Sequence, residues 1–176
     1  MYIVSPDKPD LTHIVEQAGW PTTGTWQTFA YTPFLERIKP GEAWAFRLTA
    51  NPVHSIRRTD SEPTKRTAHV TPRHQLGWLL KQQERAGFCV AERPEGQLRI
   101  ADEDKFQVIV RDRRDLNFSK GVTDSGKEAS RVKLVTATFD GRLQVTDADK
   151  LRAALTSGLG KAKAYGCGLM TLAPAG

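Results

Sequence analysis

Apolar and polar positions alternate most clearly after Gly41. Trp44, Phe46 and Leu48 recur at every second position and predict a half-buried strand, which Asn51-Pro52 ends. Phe106, Val108 and Val110 repeat that period, and residues 132–139 are rich in β-formers. Asp140-Gly141, set between Phe139 and Leu143, is the strongest short hairpin signal in the chain. Elsewhere the period is helical. Leu76, Leu79 and Leu80 follow the cap Thr71-Pro72, and Gly87 closes their helix. Leu151, Ala154 and Leu155 follow Thr146-x-x-Asp149, which reads as a capping box, and Gly158 ends that helix. Residues 168–172 supply a closing strand. The order is β-α-β-β-α-β with a small extra hairpin. It predicts an α+β fold of ferredoxin-like (RRM-like) type, with helices on one face of an antiparallel sheet.

The first forty residues carry a weaker pattern. Tyr2-Ile-Val4 reads as the end of a strand, with Ser5-Pro6-Asp7 turning out of it. Asp10 caps a short helix that places Leu11, Ile14, Val15 and Ala18 on one side before Gly19 stops it. Residues 25–31 read as another strand. One helix and two strands bury too little surface to stand alone. Residues 1–40 are therefore expected to be the remnant of a first domain, and residues 41–176 a complete second one. Residues 57–67 hold one proline and no apolar side chain, and read as a mobile loop.

Composition narrows the class. A chain of 176 residues suits one domain or two small ones, and 39% hydrophobic residues are enough for a core. No apolar run approaches the ~18 residues of a membrane span, and the N-terminus lacks the basic-then-apolar order of a signal peptide. A soluble, cytoplasmic protein without a membrane partner is expected. Cys89 and Cys167 are too few for a disulfide scaffold or a four-cysteine zinc site.

The net charge of +6 is concentrated in two stretches, residues 54–74 and 111–133, each carrying +3. Basic loops beside strands suit a phosphate backbone, and a solvated charged face fits the same composition. Phe118 in the second stretch is placed either to stack on a base or to take a core or hairpin role. Residues 121–127 match the spacing of a phosphate-binding loop, but Glu128 stands where a magnesium-binding hydroxyl belongs, so a nucleotide cofactor is not expected. His69 and His74 are separated by Pro72 and lack a following acidic partner, so the zinc-protease pattern fails. His13 and His54 belong to no triad, and a structural role is expected for all four histidines. Cys167, between Gly166 and Gly168, is expected in a strand as a small buried thiol. The tail places four glycines and two lysines between the last helix and the last strand. Glycines there either leave amides free for a phosphate or make a tight turn.

That tail, Gly158-x-Gly160-Lys161-Ala-Lys163-x-Tyr165-Gly166-x-Gly168-Leu169 running on to Leu-Ala-Pro174, closely resembles the C-terminal signature of the CasE family. These are the type I-E CRISPR endoribonucleases that process precursor CRISPR RNA. Trp44-Ala-Phe46-Arg47-Leu48-Thr-Ala50-Asn51-Pro52 is similar to the segment that opens the family's second domain. The resemblance implies tandem ferredoxin-like domains that hold a CRISPR repeat RNA hairpin. It implies metal-independent cleavage at the 3′ base of that hairpin by attack of a 2′-OH, with no cofactor. It also implies retention of the product and assembly with the other Cascade subunits.

The family's usual catalytic histidine and a neighbouring tyrosine lie on the first helix of the first domain. The alignment places residues 1–5 at that domain's third strand, so a block of ~30 or more residues, and the catalytic group with it, is expected upstream of Met1. No residue here inherits a catalytic role. An RNA-binding role carries to Arg111, Arg113, Arg114, Lys120, Arg131 and Lys133 in the basic stretch. It carries also to Gly160, Lys161, Lys163, Gly166 and Gly168 in the tail, with Arg57, Arg58, Lys65 and Arg66 as weaker positions. The alternative is a non-catalytic RNA-binding module.

Overall fold

A computed structural model describes residues 2–18, 26–56, 65–94, 96, 102–119 and 131–175. The chain divides into two compact units, Met1–Ile38 and Lys39–Gly176. In the first, helix α1 spans Thr12–Ala18, and the Asp10 carboxylate accepts from the Thr12 amide at 3.0 Å, as its capping role requires. Helix α2, Thr32–Arg37, has no counterpart in the sequence reading. Pro33 starts it, and the Tyr31 and Phe34 rings stack at 5.4 Å. Neither expected strand forms: residues 2–4 and 26–31 are extended or irregular, and Tyr2 and Phe29 are more than four-fifths exposed. A strand needs a partner for its amides and carbonyls, and none lies beside these residues among those described.

The second unit is built on one antiparallel sheet. Strands β1 (Ala43–Ala50), β4 (Phe88–Val90), β6 (Arg131–Val145) and β7 (Met170–Pro174) lie in the order β4-β6-β1-β7, and β5 (Val108–Ser119) also pairs with β6. Register fixes the faces. Phe46, Leu48 and Ala50 lie opposite Gly141, Phe139 and Ala137, so these share one side, and Leu48 faces Met170 across the other ladder. Helices α3 (Pro72–Ala86) and α4 (Ala148–Ser157) bring Leu76, Trp78, Leu79, Leu151 and Leu155 to the buried core, with Trp78 stacked on Phe139 at 5.9 Å. Full burial of a leucine such as Leu79 contributes about 2 kcal/mol. The opposite side is polar: Thr49 bonds Thr138 at 3.0 Å, and Asp140 bridges Arg47 and Arg111.

Several local readings are corrected. Asp140-Gly141 is not a turn, because β6 runs through it. Gly141 is required there by close approach: a Cβ would lie 2.5 Å from the Gln107 carbonyl oxygen, where β4 hands the edge of β6 over to β5. Asp147, not Thr146, caps α4, accepting from the Lys150 amide at 3.0 Å. Residues 65–67, read as loop, belong to strand β3 (Lys65–Ala68), which pairs with β2 (Val53–Ile56) in a separate two-stranded sheet. Cys167 lies in a loop rather than a strand. It is buried, as expected, and burial pushes its thiol pKa up.

Candidate functional site

On the N-terminal side of Ala137, β6 has no β1 partner and, among the described residues, pairs with β5 alone, so Arg114–Ser119 and Arg131–Thr136 form a two-stranded arm. The arm begins at a bulge: Asp112 and Arg113 oppose the single residue Ala137, and Asp112 takes φ 52°. At this bulge arginines are held. Arg111 pairs with Asp112 and Asp140, and Arg113 pairs with Asp115 at 2.8 Å. Burial raises the Asp140 pKa, but the hydrogen bonds and charges of Arg47 and Arg111 outweigh it and hold the carboxyl below its ordinary value.

Beyond the bulge the side chains are disposed differently. Arg114, Leu116 and Phe118 lie opposite Thr136, Leu134 and Val132 and share one face. The Phe118 ring there meets the Tyr165 ring edge-on, centroids 5.3 Å apart. Tyr165 belongs to the glycine-rich tail. The arm and the tail, more than forty positions apart in sequence, are thus brought together.

The tail has two parts. At its base Leu159 donates to the Gly168 carbonyl at 2.8 Å, Gly168 donates to Thr49 at 2.7 Å, and Lys161 bridges Asn51 at the end of β1. Gly160 lies over the Trp78 ring, where a Cβ would come within 2.7 Å, and a Cβ on Gly168 would lie 2.3 Å from the Leu159 carbonyl oxygen. Both have positive φ. Packing alone therefore accounts for these two glycines. At the tip, Lys163–Tyr165 form a 3-10 turn between two left-handed residues, Ala162 and Gly166. The amides of Tyr165, Gly166 and Cys167 bond back to Lys163 or Ala162. These amides are already engaged, so it is the side-chain cations that remain for an anion. Gly166 alone of the three has open space around its Cα.

Among the described residues, Arg114, Arg131, Lys133, Lys161 and Lys163 make no ion pair, and all five are exposed. Lys65 and Arg66 stand on β3, opposite Ile56 and Ser55. Arg57, Arg58 and Lys120 lie outside the described residues, as does the phosphate-loop look-alike at 121–127. Sequence reasoning missed the clustering of His54, His69 and His74. His54 and His69 stack at 4.3 Å, and His69 and His74 at 5.9 Å. His74 Nδ1 lies 2.8 Å from the Thr71 hydroxyl, and burial, helped by the other two imidazoles and Lys81, lowers the His69 pKa. No trio of histidine, cysteine or carboxylate side chains among the described residues is placed to hold a metal ion.

An α+β unit with an antiparallel sheet, a bulged basic arm and a folded glycine-rich tail defines the class. The chain belongs to the CRISPR associated protein family, whose model matches residues 1–174. It is 36% identical over 149 residues to the CRISPR-associated endoribonuclease Cse3 of Thermus thermophilus, covering 84% of this chain and 64% of that protein. It is 26% identical over 187 residues to the CRISPR system Cascade subunit CasE of Escherichia coli, covering 98% and 80%. Among solved structures it is similar to CRISPR endoribonuclease Cse3 bound to 19 nt RNA, with a TM-score of 0.62, 31% identity, and coverage of 78% of this chain and 58% of that one. The CasE resemblance read from the tail is borne out. The chain spans less than two thirds of the length of the Cse3 proteins it matches.

Proposed function

We propose that this chain binds the hairpin of precursor CRISPR RNA and belongs to a metal-independent endoribonuclease that cleaves there and remains on its product within Cascade. The observation that carries this reading is the contact of arm and tail at Phe118 and Tyr165, on elements far apart in sequence that also carry Arg114, Lys161 and Lys163, exposed cations with no ion-pair partner among the described residues. Phosphates neutralised by Arg114, Lys161 and Lys163 would release counterions and so drive association. Similarity to an endoribonuclease solved with RNA supports the same ligand, and similarity to a Cascade subunit supports the same assembly. Element order and the strand order β4-β6-β1-β7 support a ferredoxin-like domain at residues 41–176, the second of a tandem pair, with residues 1–40 belonging to the first. Arg111 and Arg113 would position the arm through their carboxylate partners as well as meet RNA.

Cleavage needs a base at the 2′-OH and an acid at the leaving 5′-oxygen. The reading assigns neither to a residue of this chain, since His54, His69 and His74 are stacked on one another and His13 lies on α1. The test is retention of a labelled repeat hairpin by the chain across a salt series, with a chelator present and products mapped on a gel. Salt-sensitive binding is expected. Binding indifferent to salt, or absent at low salt, would sink the reading.

A further inference from the structure

Phe118 is exposed and Tyr165 half-buried, on elements that also carry the exposed cations Arg114, Lys161 and Lys163, yet the fold has little need of their contact. The tail is already anchored by the Leu159–Gly168 and Gly168–Thr49 bonds and the Lys161–Asn51 bridge, so the ring contact is surplus to holding it. The two rings meet at 68°, edge to face, an arrangement that leaves ring surface uncovered, and Phe118 remains 39% exposed. Leu116, next along the same face, is 38% exposed. Apolar surface of this kind on a two-stranded arm invites aggregation unless a ligand covers it.

Its surroundings indicate the ligand. Lys163 starts the turn that ends in Tyr165, Arg114 lies on the Phe118 face of β5, and Gly166 borders Tyr165 with open space about it. Aromatic rings on elements that also carry exposed cations suit a nucleobase with its phosphate: the ring takes the flat face and the cation takes the charge. A base inside a stem has both faces stacked on neighbours, so only an unpaired base is free to enter.

Resting on the RNA-binding reading above, we infer that Phe118 and Tyr165 form a stacking site for one unpaired base flanking the hairpin, with Lys163 beside its phosphate. The site deepens that reading by naming what the chain recognises next to the stem.

The experiment compares two RNAs, a repeat hairpin with single-stranded flanks and the same hairpin trimmed to its stem and loop. Phe118→Ala and Tyr165→Ala are each expected to weaken the flanked RNA roughly tenfold, equivalent to about 1.4 kcal/mol, and to leave the trimmed RNA unchanged. Phe118→Trp and Tyr165→Phe keep a ring and should retain flank-dependent binding. A 2-aminopurine placed in the flank should be quenched by the unsubstituted protein and not by Phe118→Ala. Equal weakening of both RNAs, or no weakening of either, overturns the stacking site while leaving hairpin binding standing. Failure of the unsubstituted protein to bind either RNA overturns both.

Discussion

The base and the tip of the glycine-rich tail are a few residues apart, yet they obey different constraints. At the base, Gly160 and Gly168 exist because a side chain would run into Trp78 or the Leu159 carbonyl. At the tip, Gly166 meets nothing within 4 Å, and Lys163 has no acidic partner among the described residues. A single sequence string thus holds a structural frame and an exposed, charged turn. The same division runs through the arm, where Arg111 and Arg113 are tied by carboxylates and Arg114 has no such partner among the described residues. Residues of one type, even neighbours, are divided by what lies opposite them.

The strongest way to break this comparison is at the frame. Gly168→Val places a branched side chain at φ +96° against a backbone oxygen. It should destabilise the protein by about 3 kcal/mol or more, read by urea unfolding, and RNA binding should fall only because the fold falls. A Gly168→Val protein of unchanged stability would erase the distinction. Gly160→Ala should cost about 2 kcal/mol, and combining it with Trp78→Phe, which removes the crowding ring, should cost less than the sum of the single changes.

Changes at the exposed cations of the arm and the tail should leave the fold alone. With Arg114, Lys161 and Lys163 all replaced by alanine, stability should move by no more than about 0.5 kcal/mol. The salt slope of hairpin binding should fall by about one unit per cation or less. A lower unfolding midpoint with an intact slope would reverse the assignment.

The smallest effect concerns acid. Burial and neighbouring imidazoles lower the His69 pKa, so the folded state favours the neutral ring. The stability this provides is full above the ordinary histidine value of about 6.5 and is lost as pH falls through that value toward the lower folded one. Melting temperatures between neutral and mildly acidic pH should decline, and His69→Gln should flatten that decline.

Long periodic elements were legible. The alternation of Trp44, Phe46 and Leu48 and the stripes of α3 and α4 rest on local periods that burial reinforces. Strand β4 escaped because three residues carry no period. Gly141 was misread because a hairpin signal is local, whereas the partners of β6 are not: Asp140 answers to Arg47, 93 positions away. The tail's lysines were found by composition and family signature. Its contact with Phe118 was not, because no local rule links an arm to a loop so far along the chain. The stacking of His54 on His69 follows from the β2–β3 pairing, which no local pattern announces.

Strand β6 is fifteen residues long, and β1, β4 and β5 all take their hydrogen bonds from it. On a ribosome this imposes an order of events. Strand β1 emerges early but has no sheet to join until residues 137–144 have followed it out, and β7, its other neighbour, comes later still. The β5–β6 pair is the most local of these ladders and forms as a unit, after which β1 must close a loop of nearly ninety residues. Until then Phe46 and Leu48 lack Gly141 and Phe139, their partners across the β1–β6 ladder. The nascent chain is therefore most vulnerable to misassociation in the interval between the synthesis of its first sheet strand and that of its longest, a window set by the place of one strand in the gene's reading order.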